Sequence, residues 1–192
     1  VYKYITKPWD PAELKAVVQR AAETYDLLKQ RTEELQRSHA QTALLADLVQ
    51  IAQESTNQED CLEPIAKAFG ESFGADGCIL QLVEGDPLVA VGTYSAEEGA
   101  VPNWLAQDPL ANEAIASQQM QVSVDVPGDS RLASFSHYTE TGIQAHLAVP
   151  ITYRERVSAV LSLQWQQPCA LREDELRLIH LSAQLVALAL NC

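Results

Sequence analysis

The chain is short of the residues that most often announce a chemistry. Its four cysteines, Cys61, Cys78, Cys169 and Cys192, show no CxxC spacing and no pairing rhythm, which excludes a disulfide scaffold or a cysteine zinc site. The four histidines, His39, His137, His146 and His180, are scattered without an HxxxH spacing, so no metal centre is expected. No apolar run approaches the roughly 18 residues needed to span a membrane. The opening residues lack the basic, apolar and small segments of a secretory signal. A soluble, cytoplasmic protein without membrane association is expected. Basic side chains are also scarce, 13 against 26 acidic ones among 192 residues. Residues 1–40 carry 7 basic and 6 acidic side chains, and the remainder carries 6 and 20. An acidic body of this kind repels phosphate backbones, so nucleic acid is excluded as a partner. The change in composition places a module boundary near residue 40. It divides the chain into 1–40 and 41–192.

Glycine and proline are absent between Pro11 and Pro64, and one long helix is expected there. Asp10 can cap it, Pro11 suits its first position and Glu13 favours the positive end of its dipole. Along it, Leu14, Val18, Ala21, Tyr25, Leu28 and Thr32 open a four–three spacing. Leu35, His39, Thr42, Ala46 and Val49 continue it. That is a heptad seam with polar entries at Thr32, His39 and Thr42. A helix over 10–54 would be roughly 65 Å long. Its seam suits a parallel homodimer; a single helix packed along its own domain is the alternative. Leu44, Leu45, Leu48 and Ile51 widen the stripe, as expected of a helix that packs on two things.

Downstream, Thr56 to Glu59 reads as a capping box opening a second helix that carries Leu62, Ile65, Ala66, Phe69 and Phe73. Strands are expected at 78–83 and 88–94, joined by the turn residues Glu84 to Pro87. A helix starting at Pro102 or Pro109 and running to about Gln118 follows, then a strand over 120–126. A loop with a short helix covers 127–141. Strands at 143–151 and 156–165 precede a last helix at 171–190. That helix has one apolar face of Leu176, Ile179, Ala183, Val186 and Leu190. A second face carries Leu178, Leu181, Leu185 and Leu188. The order α-α-β-β-α-β-α-β-β-α describes an α+β fold, a mainly antiparallel sheet flanked by helices.

Two family resemblances attach to these elements. Tyr4-Ile5-Thr6-Lys7-Pro8-Trp9-Asp10-Pro11 resembles the last strand and last helix of a response-regulator receiver domain. The resemblance implies that Lys7 matches the lysine that contacts the phosphoryl group. It likewise implies that Tyr4 matches the aromatic switch and that the Lys7–Pro8 bond is cis. The phospho-accepting aspartate would lie upstream, so a cognate histidine kinase is implied as partner only through that missing part. Residues 41–190 resemble a GAF domain. Thr141-Gly142-Ile143 through Leu147-Ala148-Val149-Pro150, Val157 through Leu163, and Glu173 through Leu190 are the matching segments. The resemblance implies a signalling module; the heptad seam predicts a long N-terminal coiled-coil helix, and the two-sided helices suit dimerisation through the 10–54 helix and the C-terminal helix.

GAF domains hold bilins, nucleotides, haem, other small molecules or nothing. Covalent bilin attachment needs a thiol near His137, and no cysteine lies between Cys78 and Cys169. The Asn-Lys…Phe…Asp-Glu signature of nucleotide-binding members is absent. No cofactor is therefore expected. A ligand pocket under the 127–141 loop is the second functional reading, with Gln81, Asp125, Phe135, His137, His146 and Gln164 as its lining. Catalysis is not expected. Ser136, His137 and Asp129 have no GxSxG elbow around them, and neither GxGxxG nor GxxxxGK[ST] occurs.

Overall fold

The computed structural model describes Pro8 and residues 10–55, 57–83, 91–96 and 107–191. Tyr4 and Lys7 lie outside them, as do Thr56, the turn at 84–87 and Cys192; Pro8 is an exposed bend residue. The chain divides into two compact units, 1–40 and 41–192, at the boundary expected from charge.

In the first unit, helix α1 (Pro11–Glu54) begins where expected. Asp10 caps it, with its side chain accepting from Ala12 N at 3.0 Å and its carbonyl accepting from Leu14 N at 2.9 Å. Among the described residues of this unit, the large seam side chains stand in solvent. Val18 is 60% exposed, Tyr25 67%, Leu28 57% and Leu35 61%.

The second unit takes in the end of α1 and a five-stranded antiparallel sheet. Its elements are α2 (Gln58–Ser72), β1 (Gly77–Leu82), β2 (Val91–Ser95), α3 (Pro109–Ser117), β3 (Gln121–Ser123), α4 (Ser136–Thr141), β4 (Ala145–Tyr153), β5 (Arg156–Trp165) and α5 (Glu173–Ala189). Their order is the one read from the sequence. The strand order across the sheet is β2-β1-β5-β4-β3. The cap of α2 is Asn57, not Thr56: Asn57 Oδ1 accepts from Asp60 N at 2.9 Å. The strand expected over 120–126 shortens to β3, because Asp125 and Val126 turn the chain into the following loop. The turn between β4 and β5 places Arg154 and Glu155 at φ 46° and 64°. Both residues are left-handed, as a two-residue hairpin requires.

Period-two alternation sorts the strands onto two covered faces. On one face Cys78, Leu80, Leu147, Val149, Leu161 and Leu163 pack against Leu44 and Leu48 of α1, Phe69 of α2 and Ile179 and Val186 of α5. On the other, Ile79, Ala148 and Val160 meet Leu110 and Ala114 of α3 and Tyr138 of α4. Leu44 and Leu48 of α1 thus face the core while Val49 stays 47% exposed. The same split occurs in α5, whose Leu181 and Leu188 are each 55% exposed. These are the two-sided helices that the pattern called for.

Candidate functional site

The second sheet face carries the polar side chains. On β4 and β5, His146 pairs with Gln164, and Ser162 lies two residues along β5. All three alternate with core residues, so the pleat turns them together toward α3 and α4. From α3 comes Asp108, its N-cap, with Oδ1 3.0 Å from Leu110 N. From α4 comes Tyr138. Every one of these five side chains is buried.

The contacts form a directional chain. The Tyr138 hydroxyl donates to Asp108 Oδ1 and lies 2.9 Å from His146 Nδ1. A hydroxyl already donating to a carboxylate can only accept from the imidazole, which assigns the ring proton to Nδ1. His146 Nε2 is then an acceptor for the Ser162 hydroxyl at 2.6 Å. Ser162 Oγ in turn accepts from Gln164 Nε2 at 3.1 Å. In this tautomer Nε2 has no proton to offer Asp108 Oδ2, 3.4 Å away. Consistently, Oδ2 has no hydrogen-bond partner among the described residues. Burial pushes the His146 pKa down more than Asp108 pulls it up, so the ring is neutral at pH 7. Burial also raises the Tyr138 phenol, and Asp108 reinforces the shift.

Serine, histidine and aspartate in mutual contact invite comparison with a nucleophilic triad, but the geometry is different. In a triad the carboxylate holds Nδ1 while the serine sits on Nε2. Here Ser162 and Asp108 both approach Nε2, and a phenol occupies Nδ1. Ser162 is buried with its partners, and the contacts orient and cross-link them. They tie the cap of α3, the middle of α4 and the two central strands into one unit.

Beside it lies a cavity of about 310 Å³ between the 126–135 loop and the turn from α4 into β4. Val126, Leu132, Phe135, Tyr138 and Ile143 form its apolar wall. Phe135 stands edge-on to Tyr138 with ring centroids 5.2 Å apart, so Tyr138 belongs to both the cavity wall and the polar chain. The loop itself is braced by Arg131. Its guanidinium reaches Asp129 Oδ2 at 2.7 Å, Glu113 Oε2 at 3.2 Å and the Val122 carbonyl at 3.1 Å. Hydrogen bonding from Arg131 holds the Asp129 carboxyl down at about 2.

Of the six side chains expected to line a pocket, the fold brings His146 and Gln164 into the polar chain and Phe135 into the cavity wall. His137 lies next to Phe135, ring centroids 5.8 Å apart, with its pKa lowered by burial. Gln81 is buried on the same sheet face but pairs with Val160, further along β5 from Gln164. Neither of its amide atoms has a partner among the described residues. Asp125 is exposed and serves the turn, accepting from Gly128 N at 3.3 Å. Asp108, Tyr138 and Ser162 were not singled out from sequence. Asp108 carries the one available signal, an acid immediately before the proline of a helix start, and that signal speaks only of capping. No cluster of three or more metal-ligating side chains occurs among the described residues. Likewise, no helix there is long and apolar enough to cross a membrane.

The five-stranded antiparallel sheet with helices on both faces defines a small α+β domain. The family profile described as GAF domain matches residues 55–191, and the chain belongs to that family of signalling and ligand-binding modules. No curated protein matches it. Among solved structures, it is similar to the GAF domain of an Acinetobacter phosphoenolpyruvate-protein phosphotransferase, at 18% identity and TM-score 0.63. That match covers 79% of this chain and 92% of the other. A GAF domain from A. aeolicus in an inactive state matches at 14% identity and TM-score 0.63, over 81% and 98% of the two chains. The free methionine-R-sulfoxide reductase of Neisseria meningitidis, in complex with its substrate, matches at 17% and TM-score 0.61, over 79% and 90%. At these identities the likeness speaks for the fold alone.

Proposed function

We propose that this chain is part of a two-component response regulator in which the GAF module serves dimerisation and signal relay, with no catalysis of its own. The observation that carries the reading is the outer leucine face of α5, where Leu181 and Leu188 are each 55% exposed. Leu178, Leu181, Leu185 and Leu188 follow a three–four–three spacing, opposite the buried Ile179, Ala183 and Val186. A seam of that spacing is what a second helix interlocks with. The exposed stripe of α1 supplies a four–three spacing of its own, and each stripe would suit pairing with its counterpart in a parallel two-fold dimer. The receiver-like residues Tyr4, Lys7 and Pro8 support the two-component context, with a cognate histidine kinase acting upstream in the cytoplasm. The three thiols among the described residues support a non-catalytic reading. Cys61 and Cys78 belong to the helix-side core and Cys169 packs against it, away from the cavity, and burial pushes the Cys78 thiol up. Thiol-based reduction needs an accessible thiolate.

Sedimentation equilibrium should find a dimer at micromolar concentration, and Leu181→Lys with Leu188→Lys should shift it to monomer. A wild-type chain that stays monomeric at high concentration would sink the reading.

A second reading, a small-molecule sensor with its ligand under the 127–141 loop, is favoured by the cavity and by the double role of Tyr138. A ligand pressing on that ring would be felt at β4 and β5 through His146 and Ser162. Native mass spectrometry of freshly purified protein should show bound mass. A cavity that stays empty under every condition of purification would count against it.

A further inference from the structure

The walls of the cavity restrict what could enter it. Among the described residues no charged side chain lines it; apart from Thr139 and Gln144, its side chains are apolar or the Tyr138 ring. Four of its backbone amides are already committed. Val126 N donates to the Gln144 carbonyl, Ile143 N to the Tyr138 carbonyl, Gln144 N to the Trp165 carbonyl and Phe135 N to the Leu132 carbonyl. The Gln144 side-chain amide lies 3.5 Å from the Gly142 carbonyl. The Tyr138 hydroxyl is turned away, into the Asp108–His146 chain. A charged guest would find no counter-charge in the wall, so whatever water it lost on entry would go uncompensated. The 20 acidic side chains against 6 basic ones beyond residue 40 add a long-range repulsion for anions. A volume of about 310 Å³ lies at the lower end of the roughly 300–1,000 Å³ typical of small-molecule sites.

We propose that this cavity takes a compact, uncharged, predominantly apolar ring compound, seated against the faces and edges of Phe135 and Tyr138. This rests on the sensor reading above and adds the chemical class. It sets the site apart from one built for phosphate-bearing or carboxylate-bearing ligands, which would require a cation or free backbone amides in the wall.

The test uses two fluorescent probes of one skeleton, N-phenylnaphthylamine and its sulfonate derivative, titrated into the 192-residue chain. Ala133→Phe and Thr139→Phe provide the controls. Both positions line the cavity but are solvent-exposed, so the added rings fill it without entering the core. The expected result is saturable binding of the uncharged probe, about tenfold or more tighter than the sulfonate. Each variant should weaken it by roughly fivefold or more as the space is taken. If the sulfonate binds within that tenfold margin and both probes weaken in the variants, the chemical class is overturned while the ligand site stands. If the uncharged probe does not saturate, or binds both variants as it binds wild type, the cavity is not a ligand site and the sensor reading falls with it.

Discussion

Removing the Tyr138 hydroxyl would strip Asp108 Oδ1 of a buried donor and leave His146 Nδ1–H facing a ring edge. Buried polar groups left without partners cost about 1–3 kcal/mol. Tyr138→Phe should therefore lower the urea midpoint by an amount in that range without changing the shape of the transition. A variant as stable as wild type would mean the chain of contacts contributes nothing net. His146 provides a pH signature at the same scale. Its folded-state pKa lies below the ordinary value because burial disfavours the cation. The unfolded chain therefore takes up a proton first, below pH about 6.5, and stability falls as pH drops through that point. His137 is shifted in the same direction, burial outweighing the nearby Glu140 and Asp108. Thermal midpoints should fall between pH 7 and 5 in the wild type and fall less steeply in His146→Gln. An identical slope in the variant would remove His146 as the cause. Asp129, held at about 2 by Arg131, adds its own loss of stability only at more acid pH, between its ordinary value and about 2.

Helix α2 lies close against β2 at Gly92. A Cβ on Gly92 would sit 2.2 Å from the Leu62 carbonyl carbon and oxygen, a clash with backbone that no rotamer change relieves. Gly92→Ala should cost about 1–3 kcal/mol or more as α2 is pushed from the sheet, read by chemical denaturation. Gly74→Ala tests a different physical cause: nothing lies within 4 Å of a Cβ there, but φ is +56°, so only backbone strain opposes it. The first substitution should be the more damaging, and the reverse order would contradict the packing of α2. The helices show how much an element's own pattern conveys. The apolar spacing in α1 and α5 indicated two faces each, because a helical period of 3.6 projects core and outer residues onto separate stripes. Which stripe met the sheet depended on the partner surface, so Leu44 and Leu48 are buried while Val49 is not.

For the molecule as a whole, the core belongs to residues 41–192. Leu44 and Leu48 are the α1 side chains buried in it, and the large seam residues upstream of residue 40, Leu14, Val18, Tyr25, Leu28 and Leu35, remain exposed. A chain beginning at Gln41 should keep its thermal midpoint within a few degrees of wild type, since exposed side chains contribute little to folding. A collapse of the midpoint would show that the first unit is needed for the core. On the proposed reading the same truncation weakens self-association, because part of the seam is lost.

Element order, the antiparallel α+β class, the boundary near residue 40 and the two-sided helices are properties of local pattern, and the sequence alone determined them. Periodicity, capping residues and charge balance act over a few turns of chain. The candidate site was legible only in part. His146 and Gln164 could be placed on one sheet face by alternation, but a strand reveals nothing of what covers it. Tertiary structure decided that Asp108, an ordinary-looking helix cap, would be buried against a tyrosine from α4 and a histidine from β4. It also directed Gln81 and Asp125 elsewhere. Those outcomes depend on strand register and on the path of the 126–135 loop. Both are set by contacts between residues far apart in sequence, which no local pattern records.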